Sequence, residues 1–146
     1  KVIKQLNMLV SQKEIEIRFS EVDMMGIVWH GNHIKYFEDG REDFGSKYGL
    51  GYMEVHRKGY VIPLVDVQCS YKKAIKYETT IVIETKYINS PAAKIIFEYN
   101  LIDKASGELY ATGKSVQVFL TNEGDLHLTI PDFYAEWKKK WGIEKI

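Results

Sequence analysis

A single stretch of helical periodicity, set among patterns typical of strands, limits what this chain can fold into. From Asn32 to Tyr48, apolar side chains recur at the spacing of an α-helix. Gly40 and Gly45 lie on or beside this apolar stripe, although a glycine inside a helix costs roughly 1 kcal/mol relative to alanine. The expected compensation is a close approach of the helix to another backbone, such as a sheet that wraps around it. Asn32 is the expected N-cap and Gly49 the expected C-terminal stop.

The other apolar patterns predict an antiparallel sheet. Residues 13–19 alternate between apolar and polar side chains, and residues 51–59 predict a short helical turn. A final helix is predicted from Pro131, which suits the first helical position. No repeat, low-complexity tract or linker is visible, so residues 1–146 are expected to form one α+β domain with the long helix on one face of the sheet. The strand-like runs after the long helix cover residues 61–73, 78–88, 93–101 and 108–121.

Composition narrows the class of partner. Twenty basic residues balance 20 acidic ones, whereas a general nucleic-acid binder is usually basic. The one cysteine, Cys69, lies in an apolar alternation and is expected to be a buried strand residue without a disulfide. Residues 1–10 lack the apolar core of a signal peptide, and no run approaches the ~20 apolar residues that span a bilayer. We therefore expect a cytoplasmic protein with no nucleic-acid or membrane partner.

The segment from Ser20 to His33 carries most of the chemistry. It places Asp23, then Gly26, an apolar triplet and His30 directly before the long helix. The first N–H groups of a helix have no intrahelical acceptors, so they can stabilise an anion or polarise a carbonyl. On spacing alone, a capping role for Asp23 is the more common arrangement. His30 and His33 form a His-x-x-His spacing, but no nearby acid or cysteine completes a ligand set, so no metal site is expected.

This segment resembles the active-site segment of the hotdog-fold acyl-CoA thioesterases, specifically the 4-hydroxybenzoyl-CoA thioesterase family. The family pattern runs Asp, two residues, Gly, Ile or Val, Val, an aromatic residue, then His or Tyr before the central helix. The resemblance covers residues 14–130 in element order, and it implies a hotdog fold, in which an antiparallel sheet wraps around a long central helix. The matching residues are Asp23, Gly26, Ile27, Val28, Trp29 and His30.

The resemblance implies a sparse site for thioester hydrolysis. Asp23 would be the catalytic carboxylate, either as a general base on water or as a nucleophile that forms a mixed anhydride. His30 would orient Asp23 or the thioester, or contribute its backbone N–H; a histidine bonded locally at the helix start is the alternative. Gly26 permits the tight turn. The Val61 N–H, aligned through Pro63, is implied to hold the thioester oxygen.

The same resemblance implies where the substrate lies. Trp29 is expected to pack at the core or the subunit interface and, with Ile62, to shape the acyl pocket. Ser90 and Lys94 belong to the turn where family members often bind the nucleotide end of CoA. This turn lacks the arginines that some relatives carry, which leaves room for acyl-carrier-protein substrates. A solvated strand face is the alternative reading of Lys94.

We therefore predict an acyl-CoA thioesterase that releases a carboxylic acid and free CoA. No cofactor is expected, because CoA is part of the substrate. Hotdog proteins normally place their sites at dimer interfaces, so the resemblance implies a homodimer or homotetramer. Two alternatives stay open. One is an acyl-carrier-protein thioesterase, and the other is a non-catalytic hotdog protein that binds acyl-CoA or serves in assembly.

Overall fold

An antiparallel sheet curves around one long helix in the computed structural model, which describes residues 9–143. Residues 1–8, where the sequence lacks a signal-peptide pattern, and residues 144–146 lie outside the described residues. The strands are β1 (Val10–Glu16), β2 (Tyr60–Val61), β3 (Leu64–Tyr71), β4 (Thr80–Ile88), β5 (Lys94–Asp103), β6 (Leu109–Thr121) and β7 (Leu126–His127). The helices are α1 (Asn32–Tyr48), α2 (Tyr52–Arg57) and α3 (Asp132–Lys140), with a 3₁₀ turn at Phe19–Glu21.

All seven strands belong to one sheet in which every pairing is antiparallel. The order β1-β4-β5-β6 continues to β3, and the short strands β2 and β7 also pair with β6. Strand β6 has 13 residues, which allows it to hold these several partners at different positions. Within the described residues β3 has β6 as its one strand partner, so its outer edge is open. The expected hotdog architecture is confirmed.

Glycines bring α1 into close contact with its surroundings, as the sequence predicted. A Cβ atom added to Gly40 would lie 2.8 Å from the Cγ2 of Ile83 on β4 and would also overlap the Thr85 hydroxyl. A Cβ added to Gly45 would lie 2.7 Å from the Gly51 Cα. These two positions accept only glycine. The absence of a side chain lets the helix backbone approach the sheet at Gly40 and the α2 connection at Gly45.

The two ends of α1 differ in how well the sequence predicted them. Gly49 ends the helix with a left-handed φ of 75°, and its N–H donates to Gly45 O at 2.9 Å, which confirms the expected stop. The expected N-cap, Asn32, is wrong, because Gly31 holds that position and Asn32 is the first helical residue. The Asn32 side chain instead donates to Glu21 O at 2.9 Å and ties the helix start to the preceding loop.

Several strand boundaries also differ from the expectations. Strand β1 begins at Val10 and ends at Glu16, whereas residues 13–19 were expected, and Phe19 lies in the exposed 3₁₀ turn. The single strand expected over residues 61–73 is two strands with a break at Pro63, which has no N–H for the ladder.

Other local expectations need smaller corrections. Cys69 is half-buried instead of buried, because β3 is an edge strand. Strand β7 has two residues, too few for an alternating pattern to reveal. Pro131 is the N-cap of α3 and not its first helical residue.

Helix α3 packs against the far end of α1 through aromatic side chains. The indole N–H groups of Trp137 and Trp141 both donate to the Tyr48 carbonyl, at 2.7 and 3.0 Å. The fully buried Tyr134 hydroxyl bonds to the hydroxyl of Tyr87 on β4 and donates to the Lys94 carbonyl at 3.2 Å. The last turn of α1, whose carbonyls have no intrahelical donors, is thereby capped by side chains of another helix.

We expect Gly40→Ala to lower the free energy of unfolding by about 1–3 kcal/mol, because the added methyl group overpacks the contact with Ile83 and Thr85. This loss would outweigh the helix-propensity gain of roughly 1 kcal/mol. Urea denaturation measures it. The matched control is Ser46→Ala on the exposed side of the same helix, which should change the unfolding free energy by less than about 0.5 kcal/mol. A Gly40→Ala protein as stable as the parent would contradict the close approach.

Candidate active site

Asp23 lies at the tip of a tight hairpin. Its N–H donates to Ile27 O at 2.8 Å, and the Gly26 N–H donates to Asp23 O at 3.0 Å. Gly26 has a φ of 75°, a conformation that glycine adopts without strain. One carboxylate oxygen of Asp23, Oδ1, accepts the Met25 N–H at 2.8 Å. The side chain is exposed, and no described residue hydrogen-bonds to Oδ2, so this oxygen is available to a substrate or a water molecule.

Main-chain hydrogen bonds hold this hairpin in place. The Val28 N–H donates to Ile75 O at 2.8 Å, and the Tyr77 N–H donates to Gly26 O at 3.0 Å. Ile75 is only 1% exposed, so the hairpin is attached to the core of the molecule. The Asp23 carboxylate therefore has a defined location, as a residue in direct chemistry requires.

The hairpin leads into the start of α1, where backbone donors are unused. Within the part of the chain that the structure describes, the N–H groups of His30 and Gly31 donate to no acceptor. The next two amides are engaged, since Asn32 N–H donates to Trp29 O at 2.9 Å and His33 N–H donates to His30 O at 3.4 Å. The helix start thus offers two neighbouring donors and the positive end of the helix dipole.

Aromatic rings cover this turn. The Trp29 and His30 rings lie 4.9 Å apart, and the indole covers Gly31 so closely that a Cβ there would overlap it. Trp29 remains 52% exposed, so the expected contact of this side chain with a core or a second subunit is not completed within one chain. The exposed His30 side chain makes no hydrogen bond to any described residue, Asp23 included.

A tyrosine that sequence reasoning missed also contacts the turn. The Tyr71 hydroxyl, at the end of β3, donates to His30 O at 2.8 Å. Its ring lies edge-on to the His33 ring, with 4.6 Å between centroids. His33 is 3% exposed, and burial lowers the pKa of its imidazole, which is therefore neutral at neutral pH. The strand alternation placed Tyr71 in line with Cys69, but no local signal pairs it with a residue 41 positions away.

Ser90 and Lys94, which were expected to bind the nucleotide end of CoA, lie at the other end of the sheet from Asp23. Ser90 O accepts a hydrogen bond from Lys138 Nζ at 3.0 Å, and Lys94 O accepts one from the Tyr134 hydroxyl. The Asp23 hairpin lies beside Lys76, before β4 begins. Strand β4 has nine residues, which span about 30 Å at ~3.3 Å per residue. One chain therefore does not bring Asp23 and the Ser90–Lys94 turn together.

Ile62 lines a cavity of about 200 Å³ between α1, α2 and strands β5 and β6. Gln117 donates to the Ile62 carbonyl at 2.9 Å and forms part of the same wall. Ile95 and Phe97 supply apolar surface, and the Arg41 guanidinium, which donates to the Tyr99 hydroxyl at 3.1 Å, supplies a charge. The cavity is large enough for a small acyl group.

Val61 lies on β2 opposite Leu120 of β6. Pro63, two residues after Val61, lies opposite Val118, and its carbonyl accepts the Val118 N–H at 3.2 Å. Hydrogen-bonded pairs in an antiparallel ladder recur at every second residue, so the Val61 N–H faces the Leu120 carbonyl. The role of Val61 as the oxygen-binding amide stays a prediction, whereas the His30 and Gly31 N–H groups have no acceptor among the described residues.

The described residues contain no group of three or more His, Cys, Asp and Glu side chains that could hold a metal ion. Among residues 9–143, no helix is both long enough and apolar enough to cross a bilayer.

Comparison with known proteins agrees with this fold. A family model described as the thioesterase-like superfamily matches residues 17–138. The proposed acyl-CoA thioesterase YneP of Bacillus subtilis (strain 168) is 33% identical over 136 residues, which are 90% of this chain and 98% of YneP.

Two solved structures show the same architecture. DHNA-CoA thioesterase from Staphylococcus aureus superimposes with a TM-score of 0.79 at 28% identity, over 91% of this chain and 89% of that one. An Asp→Asn variant of 4-hydroxybenzoyl-CoA thioesterase, complexed with 4-hydroxybenzoyl-CoA, superimposes with a TM-score of 0.75 at 22% identity, over 88% and 97%. The chain therefore belongs to the thioesterase-like superfamily of hotdog-fold thioester hydrolases.

Proposed function

We propose that this chain hydrolyses acyl-CoA esters to a carboxylic acid and free CoA, with Asp23 as the catalytic carboxylate. One observation carries the proposal. A core-anchored hairpin presents a carboxylate with a free oxygen, and the same segment leads directly to the unused N–H groups of His30 and Gly31. Thioester hydrolysis needs this pair of functions, an oxygen base or nucleophile and donors for the carbonyl oxygen.

The proposed reaction begins with the thioester oxygen at the start of α1. Donation from the His30 and Gly31 N–H groups polarises the carbonyl and stabilises the oxyanion of the tetrahedral intermediate. Asp23 either removes a proton from the attacking water or attacks the carbonyl carbon itself, in which case water later cleaves the mixed anhydride. Collapse of the intermediate breaks the C–S bond, and the CoA thiolate leaves with little need for a general acid.

His30 and Gly26 act through the backbone in this scheme. His30 contributes its N–H, and its exposed ring lies next to Trp29. Gly26 holds the turn that aims Asp23.

We also propose that the working enzyme is a homodimer whose site uses both chains. Asp23 lies near the beginning of β4 and the Ser90–Lys94 turn follows its end, and the strand between them is about 30 Å long, so a site that uses both needs a second copy. The open edge of β3 supports pairing between copies, because Val65 and Val67 on this strand are 59% and 36% exposed. A homodimer that pairs β3 with β3 would cover these side chains.

We expect Asp23→Asn to reduce kcat by more than about 100-fold on acyl-CoA esters, since the amide can neither accept the water proton nor form an anhydride. Free-thiol release from a panel of aromatic, short-chain and long-chain acyl-CoA esters measures this. Asp125→Asn, which changes an exposed carboxylate in the turn before β7, is the matched control and should retain parental kcat.

Unchanged hydrolysis by the Asp23→Asn protein would contradict the role of Asp23. A parent that binds acyl-CoA but releases no thiol would favour a binding protein. A parent active only on acyl-carrier-protein esters would favour the carrier-protein thioesterase.

We expect Val65→Glu to convert the dimer to a monomer and to reduce kcat by at least about tenfold, because a buried, unpaired charge at the edge of β3 opposes pairing. Light scattering coupled to gel filtration gives the mass, and thiol release gives the activity. The control is Leu128→Glu, which places the same charge on another exposed apolar residue after β7. A monomeric parent, or a Val65→Glu protein that remains dimeric, would be evidence against this interface.

A further inference from the structure

We propose that Tyr71 is a positioning residue of the active site, and that it orients and strengthens the Gly31 N–H as a donor to the thioester oxygen. This inference rests on the proposed function and extends it to a residue on a different element. It assigns Tyr71 no contact with the substrate.

The peptide unit between His30 and Gly31 is held at its carbonyl oxygen. The His30 carbonyl and the Gly31 N–H belong to the same peptide plane, and they point in opposite directions. The Tyr71 hydroxyl donates to that carbonyl at 2.8 Å. Holding the oxygen therefore fixes the direction of the N–H on the opposite edge, which has no acceptor among the described residues.

The same hydrogen bond changes the strength of the donor. A carbonyl that accepts a hydrogen bond draws electron density from its own amide nitrogen, and bonds in such a chain strengthen each other by about 10–30%. Donation from Tyr71 to the His30 carbonyl thus makes the Gly31 proton a better partner for a developing oxyanion. Burial raises the pKa of Tyr71, so the phenol keeps the proton that it donates.

Tyr71 is itself held in place. It lies opposite Ala111 in the β3–β6 ladder, and the edge of its ring packs against His33 with 4.6 Å between centroids. His33 is a buried residue of α1, so Tyr71 connects the end of an edge strand to the first turn of the central helix.

The other side of the peptide is also restricted. The Trp29 indole lies over Gly31, with no room for a Cβ atom. The indole thus packs against Gly31, the His30 carbonyl accepts from Tyr71 and the His33 N–H, and the Gly31 N–H has no acceptor among the described residues. A substrate carbonyl that reaches the start of α1 meets a donor that is already oriented.

The first test is Tyr71→Phe, which removes the hydroxyl and keeps the ring against His33. We expect kcat to fall about three- to tenfold, as for loss of one intramolecular hydrogen bond, while KM changes by less than about twofold. Ser70→Ala is the control, because it removes an exposed hydroxyl, without a hydrogen-bond partner among the described residues, from the neighbouring position on β3. It should retain parental kcat.

A second readout observes the peptide directly. In the ¹H–¹⁵N spectrum of Tyr71→Phe, the Gly31 amide proton should move upfield, while the Gly26 amide of the hairpin stays in place. A ring-fluorinated tyrosine at position 71 is a stronger donor and should move the Gly31 proton downfield. These opposite shifts would not arise if Tyr71 only filled space.

The outcomes separate the two proposals. A parent that hydrolyses no thioester overturns both. An active parent, an inactive Asp23→Asn protein and a fully active Tyr71→Phe protein overturn the role of Tyr71 alone. A kcat loss without movement of the Gly31 proton, or a loss expressed mainly in KM, also overturns it.

Discussion

The contact between α1 and the sheet is the constraint on which the rest of the structure depends. Gly40 brings the helix onto β4, and Gly113 of β6 leaves room for the Phe37 ring, which stacks on Tyr99 at 4.5 Å. The helix has 17 residues and is about 25 Å long. These close contacts prevent it from sliding or rotating against the sheet. Its N-terminus therefore has a fixed position relative to the end of β3, where Tyr71 meets the His30 carbonyl.

The proposed chemistry needs few side chains because the backbone supplies much of it. A carboxylate and two N–H groups suffice when the leaving group is a thiolate, and the remaining requirement is geometric. The residues that meet this requirement lie in separate parts of the chain. Ile75 anchors the hairpin, Trp29 covers Gly31, and Tyr71 holds the peptide between them. A site of this kind depends as much on supporting contacts as on Asp23.

The sequence predicted the elements that repeat a pattern over many residues. The bounds of α1 and its stop at Gly49 follow from a long apolar period and one left-handed residue. The short strand β7 and the break at Pro63 could not be predicted, because two residues carry no period and a proline also suits a strand start. The candidate site was predicted where it is continuous in sequence, around Asp23. The Tyr71 contact and the separation of Asp23 from Ser90 depend on strand register, which no local pattern reports.

The capping of α1 by α3 also has a consequence for biosynthesis. The two indoles that bond to the Tyr48 carbonyl lie 89 and 93 residues after it. At translation rates of about 5–20 residues per second, the ribosome adds these donors roughly 4–19 s after Tyr48. During that interval the end of the nascent helix lacks its two indole donors, and its apolar stripe is covered only as the later strands are added. The chain thus emerges with its central element exposed, and it is in this period that a chaperone has the most surface to bind.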